Sequence, residues 1–195
     1  TFGGVSISID KAIALWEDKL EKVYPTKTDK SSETLKVNDY KNNTFVKASE
    51  SFAHPRVFVP VFPGTNCEYD IERAFSKAGA VVDTFVFHNL AAAEIDHSIR
   101  DMAKRIAQAQ IVMIPGGFSA GDEPDGSGKF IATAFKNPLI REEITKLLEA
   151  RDGLMLGICN GFQALIKLGL VPFGKIIDVD DTCPTLTYNS IGRHV

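Results

Sequence analysis

From Arg56 onward, short apolar runs alternate with stretches whose apolar positions recur three and four residues apart. Arg56–Phe62 (RVFVPVF) reads as a buried strand, although Pro60 cannot donate to a ladder. Pro63-Gly64 marks a turn, and Thr65 and Glu68 have the T-x-x-E spacing of a capping box. Ile71, Ala74, Phe75 and Ala78 would form the buried face of the helix that follows, with Gly79 as its stop. Ala80–Phe87 predicts a second strand, and Asp96–Gln108 a helix with Ile99, Met102 and Ile106 inward. Gln110–Pro115 predicts a third strand that runs into Gly116-Gly117. Helices are expected near Lys129–Phe135 and Leu139–Ala150, a fourth strand over Gly153–Ile158, and a helix over Gly161–Leu168. This alternation predicts an α/β fold of three layers, a parallel sheet covered on both faces by helices. Right-handed crossovers then put the functional loops at the carboxyl ends of the strands.

Residues 1–54 follow another regime. Val5, Ile7 and Ile9 alternate as in a short strand, and Asp10 is placed to cap a helix bearing Ile13, Trp16, Leu20 and Val23 before Pro25. Thr26–Ala53 is rich in Lys, Ser, Thr, Asn and Asp and reads as a linker between domains. The expected division is therefore 1–54 and 55–195.

Composition narrows the function classes. With 44% hydrophobic residues and 13 Phe among 195, the chain can bury a core. No apolar run of about 18 residues occurs, so no membrane helix is expected. Lys and Arg number 22 against 25 for Asp and Glu, which argues against nucleic acid as a partner. Cys67, Cys159 and Cys183 form neither a disulfide framework nor a metal knuckle. No metal site is expected, and a reducing cytoplasm is the default compartment.

The densest chemical signal is Gly157-Ile158-Cys159-Asn160-Gly161, a G-x-C-x-G between a strand and a helix. A nucleophile on so sharp a bend needs glycine two residues to either side, because bulkier groups would collide with the neighbouring elements. The thiol would stand at the amino end of a helix, whose unpaired N–H groups suit a thiolate nucleophile. The Asn160 N–H would point toward a developing oxyanion. The competing reading makes Cys159 a small buried hydrophobe. Gly116-Gly117 could bring a second main-chain donor close to a substrate oxygen, or could be only a tight turn. Asp122, Glu123 and Asp125 lack the spacing of a calcium loop and read as a solvated loop. Neither a P-loop nor GxGxxG is present, so this piece is not expected to bind ATP or a dinucleotide itself.

Taken together, GICNGFQ (Gly157–Gln163), PGTNCEYD (Pro63–Asp70) and GGFSAGDE (Gly116–Glu123) resemble class I glutamine amidotransferases. The PGTN and GGFS motifs point to the glutaminase domains of phosphoribosylformylglycinamidine synthases. Residues 55–195 carry the resemblance. Residues 1–25 look like the tail of an ATP-dependent synthetase module, and 26–54 like the linker. The resemblance implies a flavodoxin-like amidotransferase fold, incomplete at the carboxyl terminus, and glutamine hydrolysis through a Cys159 thioester. It implies an oxyanion hole from the N–H groups of Gly117 and Asn160, with Gly116, Phe118, Gln163 and Asn66 at the glutamine. Ammonia would pass to the synthetase module, where ATP and magnesium are expected; no cofactor is implied in this domain.

The family completes its triad with an H-x-E motif expected beyond Val195. His54, His88, His97 and His194 do not match that position. A start at Thr1 fits an excised piece, which on its own would have the nucleophile and little turnover. Uncovered sheet edge would then favour self-association. The competing function classes are a stand-alone cysteine hydrolase of the related superfamily and a non-catalytic docking module acting through residues 1–54.

Overall fold

The computed structural model describes residues 3, 4, 6–17, 19, 50–121 and 128–186. The chain divides into two compact units, Thr1–Thr44 with Thr187–Val195, and Phe45–Leu186. Most of the 26–54 segment, the acidic loop and His194 lie outside the described residues.

In the first unit, helix α1 (Ile9–Glu17) begins where the alternating pattern predicts the end of a strand. Residues 6–8 are not a strand. The cap is Ser8, whose Oγ accepts from the Lys11 N–H at 3.2 Å, so Asp10 falls inside the first turn instead. Ile9, Ile13 and Trp16 are all exposed.

The second unit is built on four parallel strands: β1 (Arg56–Val61), β2 (Val81–Val86), β3 (Ile111–Ile114) and β4 (Leu154–Gly157). Their order is β2-β1-β3-β4, so the chain reverses its direction of travel across the sheet between β1 and β3. The connecting helices are α2 (Glu68–Lys77), α3 (Ala92–Gln108), α4 (Lys129–Phe135) and α5 (Pro138–Thr145). α5 runs on into a π turn at Lys146–Ala150; after β4 come α6 (Asn160–Lys167) and the short α7 (Leu170–Phe173), which the sequence pattern did not predict. This is the predicted α/β fold, with a flavodoxin-like strand order.

The strands are apolar on both sides because helices cover both faces. On one face Phe58, Met102, Ile106, Ile114, Phe135 and Leu165 belong to the larger core. Phe62 is at its aromatic centre, 5.3 Å from the Phe87 ring and edge-on to Phe130 at 5.8 Å. Burying each such side chain contributes roughly 1.5–3 kcal/mol. On the other face Val57, Val59 and Met113 pack with Ile71 and Phe75 of α2. Ala74 and Ala78, expected on that buried side, are exposed. Leu154 and Leu156 pair in register with Ile111 and Met113 and so share this second face. They are 63% and 47% exposed.

Pro60 shapes the sheet at one place. The Val81 N–H donates to Pro55 O and the Phe87 N–H to Val61 O, whereas the Gln110 N–H donates to Arg56 O. Strand alternation therefore turns Pro60 toward β3, where it has no N–H to give. The β1–β3 register stops at Phe58–Val112, while β1–β2 continues to Val61–Val86. The sheet is thus released between β1 and β3 at their carboxyl ends, where the order reverses. No described helix is long and apolar enough to cross a membrane.

Candidate active site

Three loops leave the carboxyl ends of the adjacent strands β1, β3 and β4. The third carries Cys159, the residue before α6, at φ 52° and ψ −109°. A left-handed φ at a non-glycine residue costs about 1–3 kcal/mol and persists only where the surroundings impose it. Here they do. A Cβ on Gly161 would lie 2.2 Å from Ile114 O, and one on Gly157 would lie 2.6 Å from Gly161 O. Both glycines of G-x-C-x-G are therefore required by close approach between β3, β4 and α6. Cys159 is exposed, which excludes the buried-hydrophobe reading.

The loops after β1 and β3 are tied together. The Phe118 N–H donates to Gly64 O at 2.9 Å and the Ala120 N–H to Pro63 O at 2.7 Å. Thr65 and Gly117 form an isolated antiparallel bridge. Gly64 and Gly117 both have positive φ, and a Cβ on either would strike the opposite loop, at 2.1 Å from Phe118 O and 2.6 Å from Gly64 O. The Gly117 N–H makes no hydrogen bond with the described residues.

Thr65 departs from the predicted capping box. Its Oγ1 accepts from the Phe62 N–H at 3.1 Å, and its own N–H donates to Phe62 O at 2.9 Å, closing the turn after β1. The residue preceding α2 is Cys67, and no side chain caps that helix. Asn66 is exposed, and its Oδ1 accepts from the Cys67 thiol at 3.2 Å.

Asn160 does more than its main chain promised. The side chain is buried; its Oδ1 accepts from the Ser119 N–H and its Nδ2 donates to Gln163 Oε1, each at 3.2 Å. One amide thus joins the β3 loop to the first turn of α6. No spacing rule signals such a contact across 41 residues. Gly116 is buried in the same loop, and Phe118 beside it is 65% exposed at the rim. Gly116 thus lies against Cys159, Asn160 and Gln163 are in the first turn of the helix that follows it, and Gly117 and Asn66 stand in the two bridged loops.

The described histidines are elsewhere. His54 lies before β1, with Nδ1 3.0 Å from Gly79 O. His97 pairs with Asp101 on α3 at 3.1 Å. His88 follows β2, the strand at the opposite edge from β4, and its main chain is held by Ser98 Oγ.

A parallel α/β sheet with an exposed cysteine on a strained strand-to-helix turn has the layout of the nucleophile-elbow class of α/β proteins. The comparisons with known proteins carry this further. Residues 54–195 match the CobB/CobQ-like glutamine amidotransferase domain family, and the chain belongs to that family. Among curated relatives, a Methanococcus maripaludis phosphoribosylformylglycinamidine synthase subunit PurQ is 40% identical over 116 residues, 60% of this chain and 38% of the relative. The Dehalococcoides mccartyi subunit of the same name is 38% identical over 131 residues (67% and 46%), and that of Treponema denticola 37% over 147 residues (71% and 50%). The chain thus spans half or less of the length of these relatives. A solved structure titled "Structure of PurLQS from Thermotoga maritima" is 32% identical over 60% of this chain and 45% of its own, with a TM-score of 0.42. The family does not favour the stand-alone hydrolase or docking-module readings.

Proposed function

We propose that this chain contributes the glutamine-hydrolysing site of a phosphoribosylformylglycinamidine synthase, supplying ammonia for purine biosynthesis. The observation that carries the reading is Cys159 itself, exposed at φ 52° between two sterically required glycines and beside the Gly116–Gly117 loop. The Cys159 Sγ attacks the side-chain amide carbon of glutamine, and the carbonyl oxygen becomes an oxyanion. The N–H groups of Gly117 and Asn160 are the donors assigned to it. The C–N bond breaks, ammonia leaves, and water hydrolyses the glutamyl thioester to glutamate. Gly116, Phe118, Gln163 and Asn66 hold the glutamine, with Phe118 at the rim as the closing side chain. The ammonia is used by a synthetase partner, which would take ATP and magnesium and act on formylglycinamide ribonucleotide.

Thioester chemistry also needs a group to move protons at the thiol and the departing amine. Among the described residues no histidine stands at the β4 end of the sheet. The test is protection. Glutamine should slow iodoacetamide alkylation of Cys159 in a saturable way, while asparagine should not. Equal alkylation with and without glutamine would overturn the reading.

A further inference from the structure

Gly116 does not have a positive φ, so its missing side chain serves space rather than backbone freedom. A Cβ placed there would lie 3.3 Å from the Cys159 Cβ and 3.5 Å from the Cys67 Sγ. Both cysteines therefore border the space that a side chain at position 116 would fill. The Cys67 sulfur lies within the sum of those two distances of the Cys159 Cβ. Cys159 is exposed and Cys67 half-buried, so both can be reached by a small oxidant. Among the described residues the Cys67 thiol donates to the neighbouring Asn66 Oδ1, a contact that rotation about its own side chain breaks. A disulfide needs Cβ atoms about 3.5–4.5 Å apart, so the loops that carry the two cysteines have to bring them together for the bond to form.

We propose that Cys67 and Cys159 are an oxidative modification site, in which hydrogen peroxide converts the nucleophile and its neighbour into a reversible disulfide. The Cys159 thiolate attacks one peroxide oxygen, the O–O bond breaks, and hydroxide leaves and takes up a proton as water. Cys159 is then a sulfenic acid, oxidised by two electrons. The Cys67 thiolate attacks that sulfur; the S–S bond forms, the S–O bond breaks, and a second water leaves. Two thiols and one peroxide give one disulfide and two waters. Cys67 thus stops Cys159 from proceeding to the irreversible sulfinic acid. Loss of glutamine chemistry in the disulfide rests on the proposed function, whereas the disulfide itself does not.

The experiment treats the full chain with a several-fold molar excess of hydrogen peroxide, removes the remainder with catalase, blocks free thiols with N-ethylmaleimide and maps peptides without reduction. The expected product is a peptide pair linked through Cys67 and Cys159, lost on adding dithiothreitol. In Cys67→Ser the link is absent, and Cys159 accumulates as sulfinic acid that dithiothreitol does not restore. Cys67→Ala should behave as Cys67→Ser does, and Cys183→Ser should behave as wild type. Unoxidised variants should still take up N-ethylmaleimide at Cys159, which separates lost chemistry from lost folding. Sulfinic acid at Cys159 in the wild type without a Cys67 link, or a principal link to Cys183, would overturn the proposal. Failure of glutamine to protect unoxidised Cys159 would overturn the glutamine reading and leave the disulfide untouched.

Discussion

At the scale of single residues, the elbow is a steric construction that the sequence displays openly. G-x-C-x-G predicts close approach, and the 2.2 Å and 2.6 Å collisions that a Cβ would make at Gly161 and Gly157 are its physical content. Gly161→Ala must push α6 away from the Ile114 carbonyl. It should destabilise the chain by about 1–3 kcal/mol, the usual cost of overpacking, read from urea denaturation. Glutamine protection of Cys159 should be lost in the same variant. The Asn160 side chain was not legible, because its partners Ser119 and Gln163 come from two elements that only folding joins. Asn160→Ala leaves the Ser119 N–H and Gln163 without this amide. A loss of about 1–3 kcal/mol is expected for such a buried group. Asn160→Asp keeps the acceptor for Ser119 and should retain more of the stability. Equal losses in both variants would remove the β3 loop contact from the account. Cys67 beside Cys159 was invisible for the same reason.

Elements show where local rules were overridden. Periodicity placed all four strands within a residue or two, because strands buried on both faces leave continuous apolar runs. It misread residues 6–9, where the alternation could not outweigh a Ser8 cap and the helical spacing beyond it. It also gave Thr65 to α2, although the hydroxyl closes the preceding turn. Arg151 illustrates a tie that no motif announces. Its guanidinium donates to the carbonyls of Ile106, Ala107 and Ala109 at 2.6–3.1 Å, closing the carboxyl end of α3. Arg151→Ala should cost about 1.5–3 kcal/mol, as hydrogen bonds from a charged group do, measured as a lower urea midpoint at unchanged slope. Further along the same packed layer, the Lys146 ammonium bonded to Glu142 holds that carboxyl below its ordinary value. The stability from this pair is full above the unfolded carboxylate pKa and fades as pH falls through the lowered folded value. Replacing Lys146 by Met should flatten that acid limb slightly, since the pair is exposed. An unchanged limb in a pH series of denaturation curves would contradict the assignment.

Across the whole molecule, periodicity made the parallel α/β class legible, whereas the order β2-β1-β3-β4 was implied only by the family resemblance, since pairing between distant strands leaves no local pattern. The order matters because it sets the loops after β1, β3 and β4 side by side. Pro60, which cannot donate to a ladder, ends the β1–β3 pairing before those loops begin. The exposed Leu154 and Leu156 on β4, with Ile158 at 50% exposure, form an apolar stripe on the face opposite the larger core. Such a stripe favours association between copies. Sedimentation velocity should show a concentration-dependent shift toward dimers that Leu154→Ser and Leu156→Ser together reduce. A wild-type chain that stays monomeric at every concentration would contradict this.

Cys159 is proposed as a nucleophile assembled beside a glutamine pocket. Its most direct test is peptide-mapped mass spectrometry after brief exposure to a glutamine-mimicking chloroketone, with Cys159→Ser in parallel. The account predicts one adduct, on Cys159, in the wild type and none in the variant, while Cys67 and Cys183 stay unmodified. Labelling spread over all three cysteines at the pace of a generic thiol reagent, or none at Cys159 while that reagent reacts there, would contradict it.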